Sequence, residues 1–115
     1  MNLSQVMSMS KESLRIEIAK IQGFTNVHSG DNDTLWGDKF PKGYHAISIP
    51  DYPNDIKAAW ELEGMIPGEK RVEYSIVLAE IIAEQNPGKK MSLWDTAHST
   101  PHQKSMAYLM TMGAE

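Results

Sequence analysis

At 115 residues, with 41% apolar and 23% charged side chains, the chain has the size and balance of one globular domain, which excludes a disordered polymer and a membrane-embedded bundle. A formal charge of −4 supplies none of the positive field that non-specific nucleic-acid binding relies on, so nucleic acid is not an expected partner. The absence of cysteine removes disulfides and thiolate metal sites and leaves packing as the source of stability.

Residues 1–10 are polar and methionine-rich, with no basic stretch leading into an apolar core, and do not read as a secretory signal. No apolar run approaches the roughly 18 residues of a membrane span, so the expectation is a cytoplasmic protein with no membrane partner. Residues 1–9 are expected to be flexible within a single domain covering 1–115. Helical spacing begins in residues 11–22, where Leu14, Ile18 and Ile21 fall at i, i+4 and i+7 and Ile16 and Ala19 widen the stripe. Ser10 is the predicted cap and Gly23 the predicted stop. From 24 to 53, Gly, Asp, Asn and Pro punctuate two runs of β-type composition, Thr34-Leu35-Trp36 and 44–49. This pattern predicts a long loop carrying a small hairpin, and irregular segments beyond about 12–15 residues in compact domains are usually functional or disordered.

A second helix is predicted after Asp51-Tyr52-Pro53, capped by Asp51 or Asn54 and running through Ile56, Ala59, Trp60, Leu62 and Met65 to a break at Pro67-Gly68. Trp60 on that apolar line is expected to be core rather than pocket. Within residues 69–85, Val72, Tyr74, Ile76 and Leu78 alternate as in a strand, but the run is long for one and places Glu80 on the apolar side. A helix is therefore predicted, with Val72, Ile76, Ala79 and Ala83 as its apolar line, Leu78, Ile81 and Ile82 broadening it, and Asn86-Pro87-Gly88 as its stop. After a loop containing Leu93 and Trp94, Thr100 and Gln103 form a capping box with Pro101 at the first helical position. The closing helix places Met106, Leu109 and Met110 on one face and ends at Gly113. The expected fold is α+β, mostly α: an N-terminal helix, a long loop with a small β-hairpin, then three helices. An αβα-type sandwich with residues 71–82 as a strand is the alternative.

Chemistry-bearing constellations are few. His98 and His102 stand four apart near Asp95, but His98 precedes the Thr100 cap, so the two rings need not share a face and no metal site is expected. Asp31-Asn32-Asp33 opens like a calcium loop, yet Trp36 and Lys42 occupy the positions that need Gly and a bidentate Glu. Residues 64–70 lack the spacing of a phosphate-cradling loop, and neither G-x-S-x-G nor H-E-x-x-H occurs. Glu61 and Glu63, two apart on a helix, point in different directions. No cofactor and no enzymatic activity are expected. What remains is an aromatic and polar set around the long loop, Trp36, Tyr44, His45, Tyr52, Asn54, Asp55 and Trp60, with Trp94 and His98 as a second place. Flat aromatic walls with a few orienting polar groups are the materials of a ligand or partner site.

The segments Ile49-Pro50-Asp51-Tyr52-Pro53-Asn54-Asp55 through Glu61, and His98-Ser99-Thr100-Pro101-His102-Gln103 through Met110, carry a resemblance. They are similar to a group of short, uncharacterised phage and prophage proteins with a P-D-Y-x-N-D helix start and a closing H-A-T-x-x-Q helix. The opening half also resembles the phage ABA-sandwich domain, in which an N-terminal helix leads through a loop to a D-I-x-A-A-W-E helix. The resemblance implies a phage-encoded protein acting in the host cytoplasm by binding, in host takeover or counter-defence, on a host protein or a small nucleotide-derived signal. Two other functions stay open: a structural or assembly protein whose helices form a homo-oligomer, and an enzyme assembled without a motif from Asp55, Glu61 and His98. The capping box makes the first testable claim. Thr100→Ala should lower stability by about 1 kcal/mol, the usual scale for losing a cap, and an unchanged urea midpoint would show that the hydroxyl holds no helix end.

Overall fold

The computed structural model describes residues 2–30, 34–39, 44–88 and 93–113. Among them are six α-helices and one three-stranded antiparallel sheet: α1 (Leu3–Ser8), α2 (Lys11–Ile21), β1 (Phe24–Ser29), β2 (Leu35–Lys39), β3 (Tyr44–Ser48), α3 (Ile56–Gly64), α4 (Arg71–Gln85), α5 (Leu93–Ala97) and α6 (Pro101–Met112). This is the expected mostly helical α+β architecture. The sandwich alternative is set aside, because residues 71–82 lie inside α4. The Asp31-Asn32-Asp33 turn and the side chains of Tyr44 and His45 lie outside what is described.

Local signals settle most helix ends. Ser10 Oγ accepts from the Ser13 amide at 3.1 Å, and Gly23, with φ +95°, turns the chain out of α2 in the left-handed region that only glycine enters freely. Thr100 Oγ1 accepts from the Gln103 amide at 3.1 Å while Gln103 Oε1 accepts from the Thr100 amide at 2.8 Å, completing the predicted capping box. Ahead of α2, Asn2 and Gln5 form a second capping box on α1, and Val6 is fully buried. Two expectations are corrected. The cap of α3 is Asp55, whose carboxylate accepts from the Lys57 amide at 3.0 Å, whereas Asp51 closes a turn by accepting from Asn54 and buried Pro53 delays helix entry. Leu93 and Trp94 open a short helix instead of lying in a loop.

The sheet is fuller than the predicted hairpin, since β1 was hidden by a bulge between Thr25 and His28 where Asn26 takes φ +51° and breaks the alternation. Strand order is β1-β2-β3, with Ser29 opposite Leu35 and Trp36 opposite Ser48. Phe24, Leu35 and Ile49 carry its inner edge into the helical core, where β1 meets α2.

The core is organised around α6, which packs against α1, α2, α3 and α4 and buries every residue from Lys104 to Leu109. Small side chains, Ser105 and Ala107 on α6 with Ala58 and Ala59 on α3, are all buried. A lysine in this position needs a counter-charge. Lys104, only 4% exposed, meets Glu63 Oε1 at 3.0 Å, and the other Glu63 oxygen accepts from the Tyr74 hydroxyl at 2.7 Å. Burial, the hydrogen bond to Glu63 and the carboxylate charge all push the Tyr74 hydroxyl well above its ordinary range.

The roll of two helices differs from the sequence expectation. On α3 the buried residues are Ala58, Ala59 and Leu62, and Trp60, about 200° round from Ala58, is 59% exposed rather than core. On α4 the buried line is Tyr74, Leu78, Ile81 and Ile82, while Val72 and Ile76, expected inside, are 71% and 55% exposed. Both sides of α4 are apolar, so periodicity alone could not choose between them.

Removing one partner of a buried ion pair strands the other charge, which typically costs about 3–5 kcal/mol. Glu63→Ala should therefore destabilise by about 3 kcal/mol, the low end because water still reaches the carboxylate. Lys104→Met combined with Glu63→Leu should recover most of that loss in urea unfolding. A single-variant loss no larger than that of Thr100→Ala would show that the pair does not organise the core.

Candidate functional site

Two surface features among the described residues bear most directly on binding. The first is a polar cleft of about 260 Å³ between the first turn of α2, the end of β1 and the turn before α3. Lys11 Nζ donates to Asn54 Oδ1 at 3.0 Å, and Asn54 Nδ2 donates to both Asp51 carboxylate oxygens at 3.1 Å. Arg15 Nε donates to the Pro50 carbonyl at 3.1 Å and its Nη2 to the Ile49 carbonyl. Trp36 does not line the cleft but packs against Gly30 of its wall, where a Cβ would overlap the indole. Glu12 and Asp51 offset the charges of Lys11 and Arg15, so the cleft is polar without a strong net field. Lys11 and Arg15 carried no signal beyond the polar side of a helix, and their role in tying the 49–54 turn to α2 is a tertiary one.

The residues singled out in the sequence are dispersed. Trp36 touches Gly30 of the cleft's wall, and Asn54 lines the cleft. Tyr52 is buried beneath it, and its hydroxyl is pushed up to about 12, first by burial and then by Tyr108, with Arg15 opposing and Glu61 adding to the rise. Asp55 is committed to capping α3 and Trp60 stands exposed on that helix. Trp94 and His98 stack on each other at the other end of the chain, with centroids 3.9 Å apart and planes inclined by 20°, and His98 Nδ1 lies 2.9 Å from the Trp94 carbonyl. Trp94 is itself 70% exposed. Among the described residues, no group of three or more His, Asp or Glu gathers as a cation site, and no helix is long and apolar enough to cross a membrane.

The second feature is an open apolar groove of about 680 Å³ between α4 and α5. Val72, Ile76, Leu78 and Ala79 form its α4 side, Thr96 and Ala97 its α5 side, and Glu63, Arg71 and Tyr74 close one end. The spacing of Val72, Ile76 and Ala79 is plain in the sequence, where it predicts a core-facing line; Val72 and Ile76 are exposed instead. A smaller-bodied hollow of about 570 Å³ lies where Leu3, Ser4, Met7 and Ser8 of α1 approach Glu84.

One titratable group at the start of α6 is partly buried. His102, in the first turn of α6, has its Nε2 buried without a hydrogen-bond partner among the described residues, and burial, followed by the charge of Lys11, holds its pKa below the ordinary 6.5. The unfolded chain therefore takes up this proton more readily than the fold does. Stability from the neutral ring is present above the ordinary value and is lost as pH falls through it toward the lower folded value. Thermal melts between about pH 7.5 and pH 5.5 should show a declining midpoint that His102→Gln flattens. An unaltered slope in the variant would place the acid sensitivity on other groups.

No family model, no curated protein and no solved structure matches the chain.

Proposed function

We propose that this is a phage-encoded, non-enzymatic protein that acts in the host cytoplasm by binding and sequestering a host protein, in takeover or counter-defence. The observation that carries the reading is the exposure of large apolar side chains: Val72 at 71%, Ile76 at 55% and, on the neighbouring α5, Trp94 at 70%. Scattered exposed apolar residues need no explanation, but Val72 and Ile76 line one groove, and contiguous apolar surface marks a contact for another macromolecule. The phage origin rests on the P-D-Y-x-N-D and H-S-T-x-x-Q segments.

A small nucleotide-derived ligand is the second reading, favoured by Lys11 and Arg15 in the cleft and by Trp36 against Gly30 of its wall. Volume and chemistry weigh against it. Ligand sites usually span about 300–1,000 Å³ and enclose most of their occupant, whereas the cleft offers about 260 Å³ and its cations are engaged with Asn54, Pro50 and Ile49.

Native mass spectrometry of the protein purified from infected bacteria separates these readings. The expected spectrum contains a stoichiometric complex with a host polypeptide that Ile76→Asp dissolves and Trp36→Ala preserves. A small-molecule adduct lost in Trp36→Ala would establish the second reading. A bare chain, together with an infection phenotype unaffected by deleting the gene, would overturn both.

A further inference from the structure

The outer side of α4 carries two parallel lines of residues. Val72, Ile76, Ala79 and Ala83 follow one another at helical spacing, and Glu73, Glu80 and Glu84 sit one residue further on, about 100° round the helix. All three glutamates are exposed, and the fourth position of their line, Val77, packs against the core. On the opposite border of the apolar line stand Ser75 and Arg71, and Arg71 already donates from Nε to the Ile66 carbonyl at 3.3 Å. Beyond them lies α5, contributing Thr96 and Ala97. The groove is thus an apolar track with an acidic bank on one side and, on the other, a wall of Ser75, Thr96 and Ala97 with Arg71 near one end.

We propose that the α4/α5 groove docks a cationic amphipathic helix of a partner protein, an inference that rests on reading the chain as a protein-binding module. A helix laid along the track would set aliphatic side chains at i, i+3, i+4 and i+7 against Val72, Ile76 and Ala79, in the manner of helix-in-groove recognition. Lysines or arginines on its flank would face Glu73, Glu80 and Glu84. Complementary charge of this kind fixes orientation and rejects acidic competitors, while the apolar contacts supply affinity. The same charges argue against a second copy of this chain. Two α4 helices packed antiparallel about a two-fold axis bring like borders together, which sets the three glutamates of one copy against those of the other. A parallel pair offers only Arg71 to balance them. A generic small apolar ligand is also a poor fit, because a trough whose walls are more than half exposed at Val72 and Ile76 would leave it wet.

The test uses the full chain, isotopically labelled, and two synthetic helical peptides of equal length, one built from leucine and lysine and the other from leucine and glutamate. The lysine peptide is expected to shift the amide resonances of Val72, Ile76, Ala79, Thr96 and Ala97, and to bind at least about tenfold more tightly than the glutamate peptide, with the preference fading at about 1 M salt. Ile76→Asp should weaken lysine-peptide binding at least tenfold. Glu73→Lys with Glu80→Lys should invert the preference while leaving Ile76 contacts in place. All three positions are exposed, so helical circular dichroism should be unchanged in these variants. Equal binding of the two peptides, or shifts confined to the polar cleft, would overturn the proposal. So would a concentration-dependent dimer in sedimentation that Ile76→Asp dissociates, since it assigns the face to a second copy. A host complex that Ile76→Asp dissolves, combined with indifference to peptide charge, removes the cationic helix and leaves the protein-binding function standing. Loss of the host complex alongside a retained lysine preference does the reverse.

Discussion

A lysine ammonium buried one turn into the central helix α6 is the condition that the rest of the molecule answers. Lys104 cannot reach water from its place between α3 and α4, so Glu63 must lie beside it, which fixes the last turn of α3 against α6. The second oxygen of Glu63 then accepts from Tyr74 and brings that side chain inward. With Tyr74 inside, helical geometry places Leu78, Ile81 and Ile82 inside as well and turns Val72, Ile76 and Ala83 toward solvent. The polar network thus chooses which of two apolar lines on α4 is buried. Buried ion pairs are poor sources of net stability, and fixing the roll of a helix that hydrophobic pattern leaves undetermined is a role that suits them better.

This choice also explains what could be read from the sequence. Caps are local, and Ser10, Thr100 with Gln103, and the Asn86-Pro87-Gly88 stop all stand where spacing and residue type placed them. The roll of α4 was not legible because both lines satisfy the helical period and the deciding partner, Lys104, lies some thirty residues away in the chain. The Asn2 and Gln5 capping box of α1 was present at the right spacing, but a six-residue helix gains its stability from seating Val6 in the core, which no local pattern announces. In the sheet, the αL residue Asn26 shifts the register and hides β1 from an alternation count. Of the candidate site, the aromatic residues are visible in the sequence but their surroundings are not: Trp60 and Trp94 face solvent, Tyr52 is core, Asn54 lines the cleft and Trp36 packs against Gly30 of its wall.

The central helix carries other polar groups besides Lys104. Ser105 and Thr111 are fully buried, and their hydroxyls, with those of Ser99 and the Nε2 of His102, have no partner among the described residues. Each such group typically costs about 1–3 kcal/mol. Their value lies in size, since Ser105 and Ala107 face a bundle in which Ala58 and Ala59 are equally small, and close approach of helices increases the dispersion contact made by every neighbouring side chain. A core built this way depends on tight packing around one helix and has little tolerance for enlargement there.

The two surface features differ in how rigidly the fold presents them, and that difference bears on function. At the cleft, Lys11 and Arg15 act as braces: they hold Asn54 and the Ile49 and Pro50 carbonyls, so a ligand would have to displace internal hydrogen bonds before making its own. The α4 track requires no such exchange. Its side chains are aliphatic, its helix is fixed by Tyr74, Glu63 and Lys104 beneath it, and a partner would remove only water. An interface that is already ordered in the free protein loses less conformational freedom on association, so more of its contact energy appears as affinity. The same three residues that neutralise a buried charge therefore also preorganise the exposed line of Val72, Ile76 and Ala79.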